Sequence, residues 1–206
     1  MISVSLNEIY SETYKALRSV NIEWSLAKDC ANKAKWLAQH NQSFLGSILK
    51  TADFYQKKEI TISINKNTNK KPLASALVGL LLVEYVSANK ITWGGYIDST
   101  KFLLAAMGIL AEEQQIYLIL ENEQKDIIAF TKDKEIYVNA NLDTKISSYY
   151  FLKTYDFIKK KNIKFTNLKK NKNVTKLNAQ CWQKLKSMAF ETYVPESETS
   201  KSGAGY

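Results

Sequence analysis

Apolar residues recur every three to four positions through the first part of the chain, which is the spacing of one face of an α-helix. In the segment SLNE, Ser5 and Glu8 form a capping-box pattern, so the first helix is predicted to begin there. The pattern resumes after a break at residues 21–23 and again over residues 44–55. We therefore predict a helical hairpin followed by a third, shorter helix.

The middle of the chain changes its period. Residues 59–65, EITISIN, alternate apolar and polar side chains, which predicts a half-buried strand. An apolar stretch from Pro72 to Val86 predicts a buried helix, in which Gly79 allows close packing. The segment KITWGG predicts a brief strand and turn, and TKFLLAAMGILAEEQ predicts a further helix.

Three apolar segments then alternate with polar ones. IYLIL, DIIAF and EIYVN, separated by ENEQK and TKDK, predict an antiparallel β-meander. Helical spacing returns around residues 146–158, a short strand is predicted near residues 163–165, and a final amphipathic helix is predicted. That helix is marked by Leu177, Cys181, Leu185, Met188 and Ala189. The order predicts an α+β fold with a helical N-terminal region, an antiparallel β-meander and a C-terminal amphipathic helix.

The length of 206 residues suits one compact domain with a substantial core. A single domain over residues 1–206 is therefore the main prediction. The polar segment before Pro72 leaves open a division into a helical lobe, residues 1–56, and an α+β lobe, residues 57–206.

Cysteine and histidine are scarce. Cys30 and Cys181 lie far apart, and His40 is the only histidine, which argues against a metal site built from these residue types. Both cysteines fall on predicted apolar helix faces and are interpreted as small buried residues. The N-terminus lacks a signal-peptide pattern, and the longest apolar run, residues 73–83, is too short to cross a bilayer. We expect a cytoplasmic protein without a membrane segment.

The net charge of +9 is compatible with nucleic-acid binding, but the chemistry weakens that interpretation. Arg18 is the only arginine, and arginine is the residue that best recognises base edges. Residues 159–176 contain eight lysines and no acid, which is typical either of a solvated loop or of a strip that follows phosphates. Candidate nucleic-acid contacts are Lys159, Lys160, Lys161, Lys164, Lys169, Lys170 and Lys172.

Known catalytic motifs are absent from the sequence. Trp93, Tyr96 and Asp98 surround two glycines before a predicted helix, where a turn with Asp98 or Ser99 as the helix cap and an anion site are alternative interpretations. His40 lies where the second helix is expected to end, and we interpret it as a partner of the helix C-terminus in preference to a general base.

The C-terminal segment TYVPESETSKSGAGY differs from the rest of the chain. Pro195 ends the preceding helix, and Glu196, Ser197 and Glu198 then supply carboxylates and a hydroxyl. A frayed terminus and an ordered binding segment are both compatible with this composition.

Several motifs together are similar to a known family. SLNEI, WSLA, A-x-W-L-A and Y-V-P-x-S-E-x-S with a terminal GAG resemble an uncharacterised bacterial domain-of-unknown-function family found mainly in alphaproteobacteria. The resemblance implies that the YVPESE segment is an ordered, functional part of the fold, and it supplies no activity. Relatives carry a longer Gly-Ala-Gly stretch with an acidic end, whereas this chain stops at Tyr206, which puts a role for the extreme terminus in doubt.

Three functions remain open from the sequence. The first is binding of a small metabolite, or a role as accessory partner of a metabolic enzyme. Candidate ligand contacts for it are Tyr193, Glu196, Ser197, Glu198, Trp93, Tyr96 and Asp98. The second is an enzyme that uses the tail carboxylates with Tyr96 or Asp98 as acid and base groups, and the third is nonspecific nucleic-acid binding through residues 159–176. No cofactor is indicated by any motif.

Overall fold

The computed structural model describes residues 1–64, 71–139, 149–155, 165–171 and 175–192. Within these ranges the chain forms six helices and eight strands, as an α+β protein. In order, the elements are β1 (Ile2–Val4), α1 (Leu6–Ser19), α2 (Trp24–Gln39), α3 (Leu45–Gln56), α4 (Ser75–Asn89), β2 (Thr92–Tyr96), α5 (Thr100–Glu113), β3 (Leu118–Asn122), β4 (Ile127–Lys132), β5 (Glu135–Asn139), β6 (Tyr149–Thr154), β7 (Phe165–Asn167), β8 (Thr175–Leu177) and α6 (Ala179–Phe190).

The larger sheet has six strands in the order β2-β6-β3-β4-β5-β7, and every neighbouring pair is antiparallel. Strands β3, β4 and β5 confirm the predicted meander. A two-stranded sheet pairs β1 with β8, and places Ile2 opposite Leu177. None of the described helices is long and apolar enough to cross a bilayer.

The helices cover one face of the larger sheet. Helix α4 packs on β6, and α5 packs on β4 and β5. Alternate strand residues point into this layer and are buried, as strand geometry requires. They include Leu118, Leu120, Ala129, Thr131, Ile136, Val138, Tyr150 and Leu152. The core therefore lies between the sheet and α4 and α5, and α2 packs against these two helices from the other side.

Six of the seven predicted helices are confirmed, although Leu177, which was assigned to the last of them, lies in β8. The Ser5 side chain accepts a hydrogen bond of 3.1 Å from the backbone N–H of Glu8, which is one half of the predicted capping box. Helices α1 and α2 form the predicted hairpin, α3 follows them, and α4, α5 and α6 occupy the apolar segments assigned to helices. The apolar periodicity therefore located every described helix.

Two predicted elements are wrong. Residues 59–64 form no strand: among the described residues only an isolated parallel bridge joins Thr61 to Leu73, no ladder continues from it, and Ile62 is exposed. Asn65 lies outside the described residues. The predicted helix over residues 146–158 is also wrong where the structure describes it, since residues 149–154 form β6; residues 146–148 and 156–158 lie outside the described residues. Strand β6 pairs with β2 on one edge and with β3 on the other. These interstrand hydrogen bonds stabilise the strand more than the helical spacing of its apolar residues favours a helix.

The predicted glycine turn before α5 is replaced by strand. Gly94 and Gly95 both lie within β2. A Cβ atom at Gly94 would lie 2.8 Å from the Tyr149 hydroxyl, and one at Gly95 would lie 2.7 Å from the Trp93 ring. The glycines are therefore needed for close approach of aromatic rings to the strand, which is a common reason for glycine in a sheet. The short strand predicted near residues 163–165 appears in part as β7, which begins at Phe165.

One charged side chain lies inside the helical layer. Lys33 on α2 is fully buried, and its Nζ donates to the carbonyl of Leu77 on α4 at 3.3 Å. Burial lowers the pKa of Lys33 from its ordinary value, against the opposing influence of Cys30, Asp29 and Asp98. Cys30 is buried as predicted, and Cys181 is partly buried.

Candidate functional site

The C-terminal turn of α2 holds two stacked rings. Trp36 and His40 are four residues apart, so they lie on the same helix face, with ring centroids 3.7 Å apart and an angle of 27° between the planes. The Nδ1 atom of His40 lies 2.7 Å from the carbonyl oxygen of Trp36. Because a carbonyl oxygen only accepts, this geometry places a proton on Nδ1, and the neutral imidazole then carries its lone pair on Nε2.

Helix α5 fits closely beneath the tryptophan. A Cβ atom at Gly108 would lie 2.2 Å from Cζ2 of Trp36. The absence of a side chain at Gly108 therefore lets the indole lie directly on the backbone of α5. This contact fixes the ring, and with it the stacked His40.

Glu112 lies one turn after Gly108 and joins the two helices. Its Oε1 accepts from the indole Nε1 of Trp36 at 2.8 Å, and its Oε2 accepts from Nζ of Lys170 at 2.5 Å. The Nε2 atom of His40 is 3.8 Å from the same Oε1, which is beyond hydrogen-bond distance. Both carboxylate oxygens are thus occupied by protein donors, while His40 Nε2 is not bonded to Glu112.

A cavity of about 290 Å³ opens beside these groups. The turn between β4 and β5 and the segment after β7 complete its wall. Its lining consists of Trp36, His40, Gly108, Glu112, Lys134, Glu135, Ile136, Asn167, Leu168, Lys169 and Lys170. Among the described residues, no group of three His, Cys, Asp or Glu side chains is arranged to hold a metal ion.

The second carboxylate of the cavity is also engaged. Glu135 Oε2 accepts from the Tyr137 hydroxyl at 2.7 Å. That hydrogen bond, a second from Asn167 and the nearby charge of Lys169 lower the pKa of Glu135 below its ordinary value. Lys134 and Lys169 form no ion pair within 4.0 Å with any carboxylate in the described part of the chain. The cavity is therefore lined by two engaged carboxylates and by two lysines, Lys134 and Lys169, that have no ion-pair partner within the described ranges.

His40 is neutral at neutral pH. Burial lowers the pKa of His40 below its ordinary value, and the positive charge of Lys170 lowers it further. The hydrogen bond to the Trp36 carbonyl and the negative charge of Glu112 act in the opposite direction but are smaller than the effect of burial.

The predicted position of His40 at the end of the second helix is confirmed, since it is the C-cap residue of α2. Its ring also lines the cavity, which the sequence interpretation did not include.

The structure does not bring the three described candidates for ligand binding together. Trp93 is buried on the helix-covered face of β2, with 4% of its surface exposed, whereas Tyr96 points to the opposite face and is 41% exposed. Asp98 is buried and accepts from the backbone and hydroxyl of Ser75 at 2.8 and 2.6 Å and from the hydroxyl of Thr51 at 2.7 Å. A role of these residues in ligand binding stays a prediction.

The position of Asp98 explains how α4 begins. The N-cap residue of α4, Ala74, has no side chain that can accept a hydrogen bond, and Asp98 from a distant part of the chain caps Ser75 instead. The expectation that Asp98 caps its own following helix is wrong, and Ser99, the N-cap of α5, makes no side-chain cap. Burial raises the pKa of Asp98, while its hydrogen bonds from Ser75, Thr51 and Ala76 oppose that rise.

The remaining predicted site residues divide into two groups. Tyr193, Glu196, Ser197 and Glu198 of the tail, and Lys159, Lys160, Lys161, Lys164 and Lys172 of the lysine run, lie outside the described residues. Lys169 and Lys170 are described, and both line the cavity. The structure therefore assigns these two lysines to a pocket that the sequence did not predict.

The sequence contained a signal for this pocket. Trp36 and His40 are spaced by four on one predicted helix, and Gly108 and Glu112 are spaced by four on another. Each pair lies on one helix face, but the sequence does not show that α2 and α5 pack together. Lys134 was missed because the polar turn that contains it is a normal feature of a meander.

A second cavity, of about 560 Å³, lies near the first residues of α3 and α6. Phe44, Leu45, Leu177 and Cys181 contribute to its lining, and Lys176 is the only lysine or acid among its lining side chains. It lacks the converging titratable groups of the His40 cavity, which is therefore the stronger candidate site.

Comparisons of the chain with family models, with curated proteins and with solved structures found no match. The resemblance to the bacterial family stays a prediction.

Proposed function

We propose that this protein binds a small molecule in the His40 cavity. The observation that carries the proposal is the convergence of Trp36, His40 and Glu112, held by direct contacts, in one concave site that Lys134 and Lys169 also line; neither lysine forms an ion pair with a carboxylate of the described residues. Ligand sites combine an aromatic or apolar wall with a few positioned polar groups, and this cavity has both.

The size of the cavity bounds the ligand. A volume of about 290 Å³ is at the lower end of the range of roughly 300–1,000 Å³ seen for drug-sized ligands. A metabolite of a few carbon atoms fits this space better than a nucleotide or a large cofactor. The wall is built from helix ends and strand ends, and its Trp36, His40 and Glu112 side chains are held in place by their mutual contacts before the ligand enters.

A thermal-shift screen with a mixed panel of charged and neutral metabolites tests the proposal. A ligand that binds only the folded protein raises the melting temperature, with a stabilisation that grows as the logarithm of its concentration. The same compound should have a much smaller effect on His40→Phe, which keeps a ring to stack on Trp36 and removes the imidazole nitrogens.

Lys184→Ala is the matched control for lysine substitutions, because Lys184 is exposed on α6 and does not line the cavity. Its ligand response should equal that of the wild type. No stabilisation by any compound, or an undiminished shift in His40→Phe, contradicts binding in this cavity.

The alternatives from the sequence are not favoured by any described contact. Lys170, one of the proposed phosphate contacts, is paired with Glu112, and most of the lysine run lies outside the described residues. Nonspecific nucleic-acid binding, the enzyme that uses tail carboxylates and the accessory role therefore stay predictions.

A further inference from the structure

Given the proposed function, the charged side chains that line the His40 cavity determine whether its ligand is an anion or a cation. Glu112 is neutralised by Lys170 and accepts from Trp36, and Glu135 accepts from Tyr137. A molecule that enters therefore meets carboxylates that already have donors. Lys134 and Lys169 remain, and neither pairs with a carboxylate of the described residues within 4.0 Å. Two lysines that have no ion-pair partner among the described residues, at a partly enclosed cavity, favour an anion.

A second feature of the cavity favours a hydroxyl group. Neutral His40 carries its lone pair on Nε2, because Nδ1 donates to the Trp36 carbonyl. Nε2 faces Oε1 of Glu112 across 3.8 Å, and no described donor bonds to Nε2. The lone pair on Nε2 and the carboxylate oxygen Oε1 are both acceptors, and at this distance they repel each other unless a proton donor lies beside them. A ligand hydroxyl that approaches both atoms supplies that proton.

We propose that the ligand is a small hydroxylated anion. Its carboxylate or phosphate group is held by Lys134 and Lys169, and its hydroxyl donates to Nε2 of His40. Hydroxycarboxylates and polyol phosphates share this chemistry. The stacked indole of Trp36 holds the imidazole in the orientation that the hydrogen bond requires.

The hydroxyl preference depends on the protonation of His40. The charged groups around the imidazole are Glu112 on α5, Lys170 in the segment after β7, and Lys134, Glu135 and Lys169 across the cavity. When His40 gains a proton at acidic pH, Nε2 becomes a donor and pairs with Glu112. The acceptor for the ligand hydroxyl is then lost, while the lysine contacts to the anion remain.

Isothermal titration with matched probes tests the inference. Lactate and propionate differ by one hydroxyl. Glycerol 3-phosphate carries a three-carbon chain with two hydroxyls that inorganic phosphate lacks, and glycerol is the neutral control. At about pH 7.5, where His40 is neutral, lactate should bind about tenfold or more tightly than propionate. Glycerol 3-phosphate should exceed inorganic phosphate in the same way, and glycerol alone should not bind. The tighter of lactate and glycerol 3-phosphate identifies the anionic group that the site prefers.

Variants separate the two parts of the inference. Lys134→Gln and Lys169→Gln should each weaken every anion by about fivefold or more, because a charge-assisted contact is lost, whereas Lys184→Ala should not. His40→Phe should bring the affinities of lactate and propionate close together without abolishing either. With affinities expressed for the anionic form of each ligand, lowering the pH into the range where His40 gains its proton should reduce the same ratio in the wild type and leave it unchanged in His40→Phe. Circular dichroism of each variant confirms that it is folded before titration.

The outcomes distinguish the inference from the function on which it rests. Equal affinity for lactate and propionate at neutral pH overturns the hydroxyl assignment. Stabilisation by neutral metabolites alone overturns the choice of an anion but leaves the cavity as a binding site. No binding by any member of the mixed panel overturns both.

Discussion

At the scale of single residues, Gly108 decides how the site is built. The indole of Trp36 occupies the position that a Cβ atom at Gly108 would need, with only 2.2 Å to Cζ2. The same indole stacks on His40 and donates to Glu112. Addition of one methyl group at Gly108 on α5 therefore affects three side chains of the cavity, those of Trp36, His40 and Glu112.

Gly108→Ala should destabilise the protein and weaken ligand binding. The ring must move, and overpacking of this kind costs about 1–3 kcal/mol, of which the better helix propensity of alanine recovers about 1 kcal/mol at most. Urea denaturation measures the net loss. Gly46→Ala on α3 is the control, since its Cβ would have no atom within 4 Å, and it should leave stability unchanged or slightly higher. Equal effects of the two substitutions would contradict the packing described for Trp36.

His40 gives the protein a defined pH dependence. Its pKa is lowered in the folded state, so the unfolded chain binds the proton more tightly. The free energy of unfolding should therefore rise as the pH increases from the lowered folded-state pKa to the ordinary histidine value of about 6.5, and then remain level with respect to this group. The difference between wild type and His40→Phe, measured by urea denaturation from acidic to neutral pH, isolates this contribution. A difference that falls with rising pH would show the opposite shift.

At the scale of elements, Asp98 links the starts of two helices. It follows β2, precedes α5 and caps the first turn of α4 through Ser75. The contact to Thr51 adds α3 to the same network. One buried carboxylate thus sets the relative position of three helices.

Asp98→Ala should cost about 2–4 kcal/mol, because the cap is lost and the backbone N–H of Ser75 and the hydroxyl of Thr51 lose their acceptor, whereas the Ser75 hydroxyl can still donate to the Ser99 carbonyl. Asp98→Asn should cost clearly less, since the amide oxygen still accepts and the Thr51 hydroxyl can accept from the amide. Chemical denaturation of the two variants gives the comparison. If both lose the same stability, the charge of Asp98 matters more than its hydrogen-bond geometry.

The elements also show which parts of the fold the sequence could predict. Helices with a clear apolar face, such as α1 with its Ser5 cap, were predictable because local interactions and burial agree. β6 was not, because its strand conformation depends on pairing with β2 and β3, which are distant in sequence. The site was missed for the same reason, since its parts come from α2, α5 and β5 and meet only through packing.

At the scale of the whole molecule, one core connects the helical N-terminal region with the sheet. A continuous cluster of buried side chains includes Leu17 on α1, Leu37 on α2, Phe102 on α5 and Leu120 on β3. The pairing of β1 with β8 also joins the first residues to a strand just before α6.

Unfolding should therefore be a single cooperative transition. Tryptophan fluorescence reports the surroundings of Trp24, Trp36, Trp93 and Trp182 together, far-ultraviolet circular dichroism reports the whole backbone, and the two should give the same single midpoint in urea. Two separated transitions would instead support the division into lobes of residues 1–56 and 57–206.

The binding of a small hydroxylated anion beside His40 is tested most directly by nuclear magnetic resonance. His40 is the only histidine in the chain, so its imidazole proton signals need no assignment among others. Lactate or glycerol 3-phosphate, added at about pH 7.5 where the ring is neutral, should shift these signals along a saturable curve, with a smaller effect of propionate or inorganic phosphate. Imidazole signals that stay fixed while such a compound stabilises the protein would contradict the account, because the ligand would then bind elsewhere.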